Sequence, residues 1–133
     1  MEEEIVRSKE NIYRGKSLEY LKELDVRESA KFLPSRSRRS VMRNFDKIEK
    51  FIKRCERFKA KNKRIKTHLR DIVIVPKLVG LTIHVYNGKS YIEVQINHQM
   101  IGHRLGEFSH TTGRVAHSAA GIGATKSSKA QKK

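Results

Sequence analysis

Leu81-Thr82-Ile83-His84-Val85-Tyr86-Asn87-Gly88-Lys89-Ser90-Tyr91-Ile92-Glu93-Val94-Gln95-Ile96 is two apolar, β-branched runs joined at Asn-Gly. That dipeptide between two such runs is the strongest short-range signal of a β-hairpin, since both residues tolerate the positive φ a tight turn demands. In the second arm Tyr91, Glu93 and Gln95 alternate with Ile92, Val94 and Ile96, so one face packs and the other meets water. Just upstream, Asp71-Ile72-Val73-Ile74-Val75 closed by Pro76 is a β-branched run and reads as a further strand.

Before these β signals, Phe45, Ile48, Phe51, Ile52, Cys55 and Phe58 recur at spacings of three and four. They form one apolar face of a helix that Asn44 can cap and that ends near Lys63. The opposite face carries Lys47, Lys50, Lys53, Arg54, Arg57, Lys59 and Lys61. Ser17 can cap a short helix through Leu24, and Asp25-Val26-Arg27-Glu28 has capping-box spacing for a second that stops near Pro34. Beyond the hairpin, Asn97 can open a short helix toward Gly102, and Gly106 marks a turn. The expected organisation is α+β in three parts: a helical amino-terminal extension (1–34), a core with a preceding basic helix (35–108), and a flexible basic tail (109–133) without apolar period.

Charge decides the class of partner. The chain has 30 Lys and Arg against 14 Asp and Glu, a formal +16 on 133 residues. Met1 to Glu28 holds eight acids and six bases, so the excess lies downstream, at +18 from Ser29 onward. Nucleic acid is the common partner of such a chain, because each neutralised phosphate releases a condensed counterion. A membrane surface competes for the same charge, but no apolar run approaches the roughly 18 residues of a span, and the acidic Met1-Glu2-Glu3-Glu4 is unlike a secretory signal. No membrane association or export is expected. Hydrophobic residues make up only 37%, so the core is small and gains stability from a bound partner. Cys55, the single cysteine, fits a reducing compartment and reads as a small apolar residue on a helix.

Two basic clusters flank the expected core. Arg36, Arg38, Arg39 and Arg43 offer paired guanidinium donors in a segment free of carboxylates, which suits phosphate capture; a solvated charge run or a localisation signal reads the same way. The second cluster, within Lys59 to Arg70, is Lys61, Lys63, Arg64, Lys66, His68 and Arg70. Clusters on both sides of one core suit a protein wedged between RNA helices. At the hairpin tip Asn87 and Gly88 can bring backbone donors to phosphate, and Lys89 adds charge. Gly102 and Gly106 leave room for RNA or a partner to approach, or serve turn geometry alone. Arg104, Arg114 and Lys126 extend the basic set.

Histidines number six and invite an acid–base or metal reading. They lack the paired spacing of a zincin and any accompanying cysteine pair, and Asp71, Glu93 and Glu107 are the only carboxylates after His68. His68, His84 and His103 are instead expected to stack on bases or donate to phosphate. Gly121-Ile122-Gly123-Ala124-Thr125-Lys126 lacks the ending of a phosphate loop. Neither metal, cofactor nor catalysis is expected. The rival functions are a free-standing nucleic-acid chaperone, needing only charge and tail, and a histidine-dependent nuclease.

Asn87-Gly88-Lys89, Ile96, Ile101-Gly102, Leu105-Gly106-Glu107-Phe108 and Thr111, with Pro76 through Ile83 upstream, resemble the signature of the universal small-subunit ribosomal protein family called S-nineteen in bacteria. Tyr13-Arg14-Gly15, Pro34 through Ser40 and Gly121 through Ser128 resemble its archaeal and eukaryotic branch, whose eukaryotic member is called S-fifteen. The resemblance implies a small mixed three-stranded sheet with flanking helices and a place in the head of the small ribosomal subunit. It further implies binding to small-subunit ribosomal RNA, a neighbour called S-thirteen, and a tail extending toward transfer RNA in the decoding region. A cytoplasmic, ribosome-bound, non-catalytic protein is the expectation. Met1 to Asn11 and the final lysines match no motif of the family.

Overall fold

The computed structural model describes residues 11–115. Residues 1–10 and everything from 116 onward, including Lys126, the Gly121–Lys126 stretch and most of the expected tail, lie outside the described residues.

A tight antiparallel hairpin opens the described chain: β1 (Ile12–Tyr13) pairs with β2 (Lys16–Ser17) around Arg14 and Gly15, both at positive φ. Strands of two residues carry no alternation, so pattern reading passes over them. Helix α1 (Leu18–Glu23) begins after Ser17 and α2 (Val26–Ser29) after Asp25, continuing into a 3-10 turn at Ala30–Phe32. The expected caps stand at the expected positions, yet Ser17, Asp25 and Asn44 make no side-chain capping hydrogen bond. Backbone position alone marks these helix starts.

Helix α3 (Ser35–Arg43) has no apolar period to announce it in the sequence, because Val41 is its one buried apolar residue and the serines beside it complete the inward face. Val41 is buried, Ser37 and Ser40 are partly buried, and Ser37 Oγ donates to Gly102 O at 2.6 Å. Helix α4 (Phe45–Ala60) follows directly and ends one turn before the expected Lys63. Ile48, Phe51, Ile52 and Cys55 are buried along its apolar face, and Phe45 and Phe58 flank them partly exposed.

Three strands form the main sheet, in the order β3 (Ile65–Thr67), β4 (Thr82–Tyr86), β5 (Tyr91–Gln95). β3 runs parallel to β4 and β4 antiparallel to β5, with Ile65 opposite Ile83 and Ile83 opposite Val94. The sheet is therefore mixed and the fold α+β, as expected. The β-branched run Asp71–Val75, expected as a strand, is not one: it lies in the crossover from β3 to β4. Ile72, Val73, Ile74 and Val75 are all buried, so the segment passes through the core with apolar contacts on both sides and leaves no wet face. Its backbone pairs instead with the distant 102–105 segment, through Leu105 N–H to Ile72 O at 3.0 Å, Ile74 N–H to His103 O at 2.8 Å and Gly102 N–H to Ile74 O at 3.0 Å. A single bridge joins Val73 to Arg104.

The hairpin turn closes with Asn87 N–H donating to Ser90 O at 3.0 Å, so Gly88 and Lys89 are its central residues and Gly88 takes the positive φ. Asn87 Oδ1 accepts from the N–H of Lys89 (2.9 Å) and of Ser90 (2.7 Å), making Asn87 the builder of the turn. One buried cluster unites α4, the crossover, the sheet and the 101–105 loop with Val26, Ala30 and Leu33 of the amino-terminal helices.

Candidate nucleic-acid interface

Residues 11–115 carry 24 Lys and Arg against ten Asp and Glu. Among the described residues only two of those cations are in ion pairs, Lys47 with Asp71 and Lys53 with Glu49, both at 2.8 Å. Apart from Arg70, Lys77 and Arg104, which are partly buried, the remainder are exposed, and three places are of interest.

The first is α3. Helical spacing puts Arg36, Arg39 and Arg43 on one stripe, where with Ser40 and Asn44 they line an open groove of about 250 Å³. Arg104 donates to Ser40 Oγ, one of the groove's lining residues, at 3.3 Å. Arg38 lies on a different flank. No acid stands in the first turn, so the first arginines oppose the positive end of the helix macrodipole. That repulsion, a few tenths of a kcal/mol per charge, is relieved by an anion.

A second group forms where α4 runs into β3. Lys59, Lys63 and Arg64 line a cleft with Asn62, Thr82 and His84, about 330 Å³ in volume. His84 Nδ1 is shielded from solvent and has no hydrogen-bond partner among the described residues. Arg57 and Lys61 stand beside Lys63 on the neighbouring surface.

The third is the outer face of the sheet, where cross-strand register aligns side chains in rows. Lys66, His84 and Glu93 form one row, and His68, just beyond β3, stands level with Tyr86 and Tyr91 in the next. The three rings touch: His68 to Tyr86 at 4.6 Å between centroids, Tyr86 to Tyr91 at 5.1 Å, His68 to Tyr91 at 5.4 Å. Lys66 Nζ lies 5.2 Å from the Tyr91 ring centre, and Tyr86 Oη donates to Gly88 O at 2.9 Å. Charge alone does not single out the two tyrosines. Their alternation with Glu93, Gln95 and His84 on the wet face is the signal that the sequence offers.

Arg70, another expected contact residue, is turned toward the protein's own backbone. Arg70 gives Nη1 to Tyr86 O at 2.6 Å and Nη2 to Gly106 O at 2.9 Å and Ser109 O at 2.6 Å, clamping the sheet to the 106–109 turn. The room left by Gly106 and Gly102 is filled by the chain itself: a Cβ on Gly106 meets Arg70, and one on Gly102 meets Pro34. His103 Nδ1 pairs with Glu107 at 2.8 Å. Ser109, expected to begin the tail, is fully buried, with Oγ donating to Val85 O at 3.3 Å; exposure begins at His110 and includes Arg114. Asp71, hydrogen-bonded by Lys47, is held below the usual carboxylate range, with Arg104 adding to the effect. Burial pushes the Cys55 thiol up to about 11. Among the described residues no group of three or more His, Cys, Asp or Glu is placed to hold a metal ion, and no helix is long and apolar enough to cross a membrane.

Comparison with known proteins matches residues 39–117 to the family model described as ribosomal protein S19. A small ribosomal subunit protein uS19 of Methanococcoides burtonii is 40% identical over 123 residues, covering 92% of this chain and 88% of the relative. The protein of the same name from Picrophilus torridus is 46% identical over 123 residues, covering 92% and 80%.

Proposed function

Since the chain belongs to the ribosomal protein S19 family, we propose that it is a structural constituent of the small ribosomal subunit that binds small-subunit ribosomal RNA and takes part in translation without catalysing a reaction. The observation that carries RNA binding is the disposition of cations: 22 of 24 Lys and Arg in residues 11–115 lie outside ion pairs. They cluster on separate elements around one small core. Arg36, Arg39 and Arg43 form one phosphate-binding surface, and Lys59, Lys63 and Arg64 form another, on a different element. Lys66, His68, His84, Asn87, Gly88, Lys89, His103 and Arg104 complete the RNA-facing set, and Arg38 and Arg114 contribute charge.

Within the subunit the proposed position is the head, beside the protein called S-thirteen, in the cytoplasm. The residues from Ser109 hold Arg114, Lys126, Lys129, Lys132 and Lys133 and no carboxylate side chain. This basic segment is assigned to transfer RNA. Sedimentation of the endogenous protein after a high-salt wash tests the first claim: co-migration with small subunits supports it, and a free fraction alone favours a free-standing chaperone. Truncation after His117 tests the second. Subunit occupancy stays near normal while transfer RNA retention falls about threefold to tenfold; reduced occupancy with normal retention per occupied subunit makes the segment an assembly anchor instead.

A further inference from the structure

We propose that the outer face of the three-stranded sheet is a stacking platform for an unpaired base of the RNA, formed by His68, Tyr86 and Tyr91. The inference rests on the RNA-binding reading above and names the part of the RNA this face takes. The three side chains come from three adjacent strands or their ends and stand at one level, with Tyr86 directly opposite Tyr91. Their centroids are 4.6 to 5.4 Å apart and their planes are tilted by 49° to 78°. A mutually tilted cluster is stable by itself as edge-to-face packing and still leaves ring surface outward. His68 is exposed and both tyrosines are partly exposed.

Charge complementarity selects a base with its phosphate over an apolar protein segment. Lys66 sits over the Tyr91 ring. At the other end of β4, Thr82 and His84 reach the cleft that holds Lys59, Lys63 and Arg64. From Tyr86 to Thr82 the strand covers about 13 Å, several times the roughly 3.4 Å separation of stacked bases. An aromatic surface at one end and a cationic cleft at the other match an unpaired stretch, its base on the rings and its backbone running to the cations. A duplex presents no base face to such a surface, and a protein partner with an apolar face is poorly matched by the flanking lysines.

The test uses the full chain and a transcript of small-subunit ribosomal RNA, with excess duplex RNA as competitor. Ultraviolet crosslinking should attach nucleotides to the peptides holding His68 and Tyr86–Tyr91. His68→Leu and Tyr91→Leu should each weaken binding at least about fivefold, the lower end of one base stack. Tyr91→Phe, which keeps the ring, should restore it. If Tyr91→Leu unfolds the hairpin, His68→Leu, outside the strands, decides alone. Arg36→Ala/Arg39→Ala/Arg43→Ala is run beside them. Weakening by the arginine variant with leucine variants unchanged and crosslinks elsewhere overturns the platform but keeps RNA binding. No change in either arm overturns RNA binding itself, and the platform with it. Leucine variants that bind RNA normally but fail to enter subunits assign this face to a protein neighbour and also overturn the proposal.

Discussion

Arg70 and Gly106 hold each other twice: Gly106 N–H donates to Arg70 O at 2.9 Å, and Arg70 Nη2 donates to Gly106 O at the same distance. The pair is tight enough that a Cβ on Gly106 falls 3.0 Å from both Arg70 Cβ and Arg70 O. Through the other bonds of Arg70, to Tyr86 O and Ser109 O, the end of β4 is tied to the last buried residue before the exposed segment.

This interlock predicts that Gly106→Ala destabilises the fold by about 1–3 kcal/mol, since backbone on one side cannot yield. Arg70→Ala removes the donor from three carbonyls and should cost about 2–3 kcal/mol. Arg70→Lys recovers little, because an ammonium lacks the planar fork that reaches carbonyls on two sides. Urea unfolding midpoints of the three variants check the order.

The stripe on α3 predicts that arginines there are not equivalent. Replacing Arg36, Arg39 and Arg43 together with alanine should flatten the log–log salt dependence of RNA binding by about 0.7–0.9 for each phosphate no longer neutralised. Arg38→Ala, on another flank, should flatten it by less than a single phosphate would. Filter binding across a salt series measures both slopes, and an equal effect from Arg38 alone contradicts the stripe.

Cys55 should be inert in the native protein. Its thiol, pushed up to about 11 by burial, holds far fewer thiolates at pH 8 than an unfolded thiol near 9. Alkylation by iodoacetamide should be at least about a hundredfold slower in the folded chain than in urea. Because the native state keeps a proton that the unfolded state releases, stability falls as pH rises above about 9. Cys55→Ala removes that portion of the alkaline loss.

For Asp71 the sign is opposite. Its native pKa lies below the unfolded value of 3.8, chiefly through the hydrogen bond from Lys47. The contribution is present above pH about 4 and is lost as pH falls through the native value. With both side chains about half exposed, Asp71→Asn should cost no more than about 1 kcal/mol at pH 7. Thermal melts of wild type and variant should converge at pH 2.

Two kinds of information are local enough to be read along the chain. The spacing of Ile48, Phe51, Ile52 and Cys55, and the Asn87-Gly88 turn between alternating runs, each encode a local period, and local periods survive folding. Net charge likewise needs no structure, since it sums over the chain. Sequence alone thus determined α4, the hairpin, the α+β class and the strong excess of positive charge. What lay beyond it depended on which segments meet. Ile72–Val75 has every local property of a strand, yet the core encloses it on both sides and β3, with one exposed lysine between two buried residues, takes the sheet position beside β4. Ser37 and Ser40 look solvent-facing until Gly102 and Arg104 arrive from some 64 residues away to bond them. Arg70 is indistinguishable in sequence from Arg64, and only tertiary placement gives one three carbonyls and the other a cleft. A side chain's charge is a property of its residue, whereas the groups available to satisfy that charge are set by the long-range contacts the core imposes.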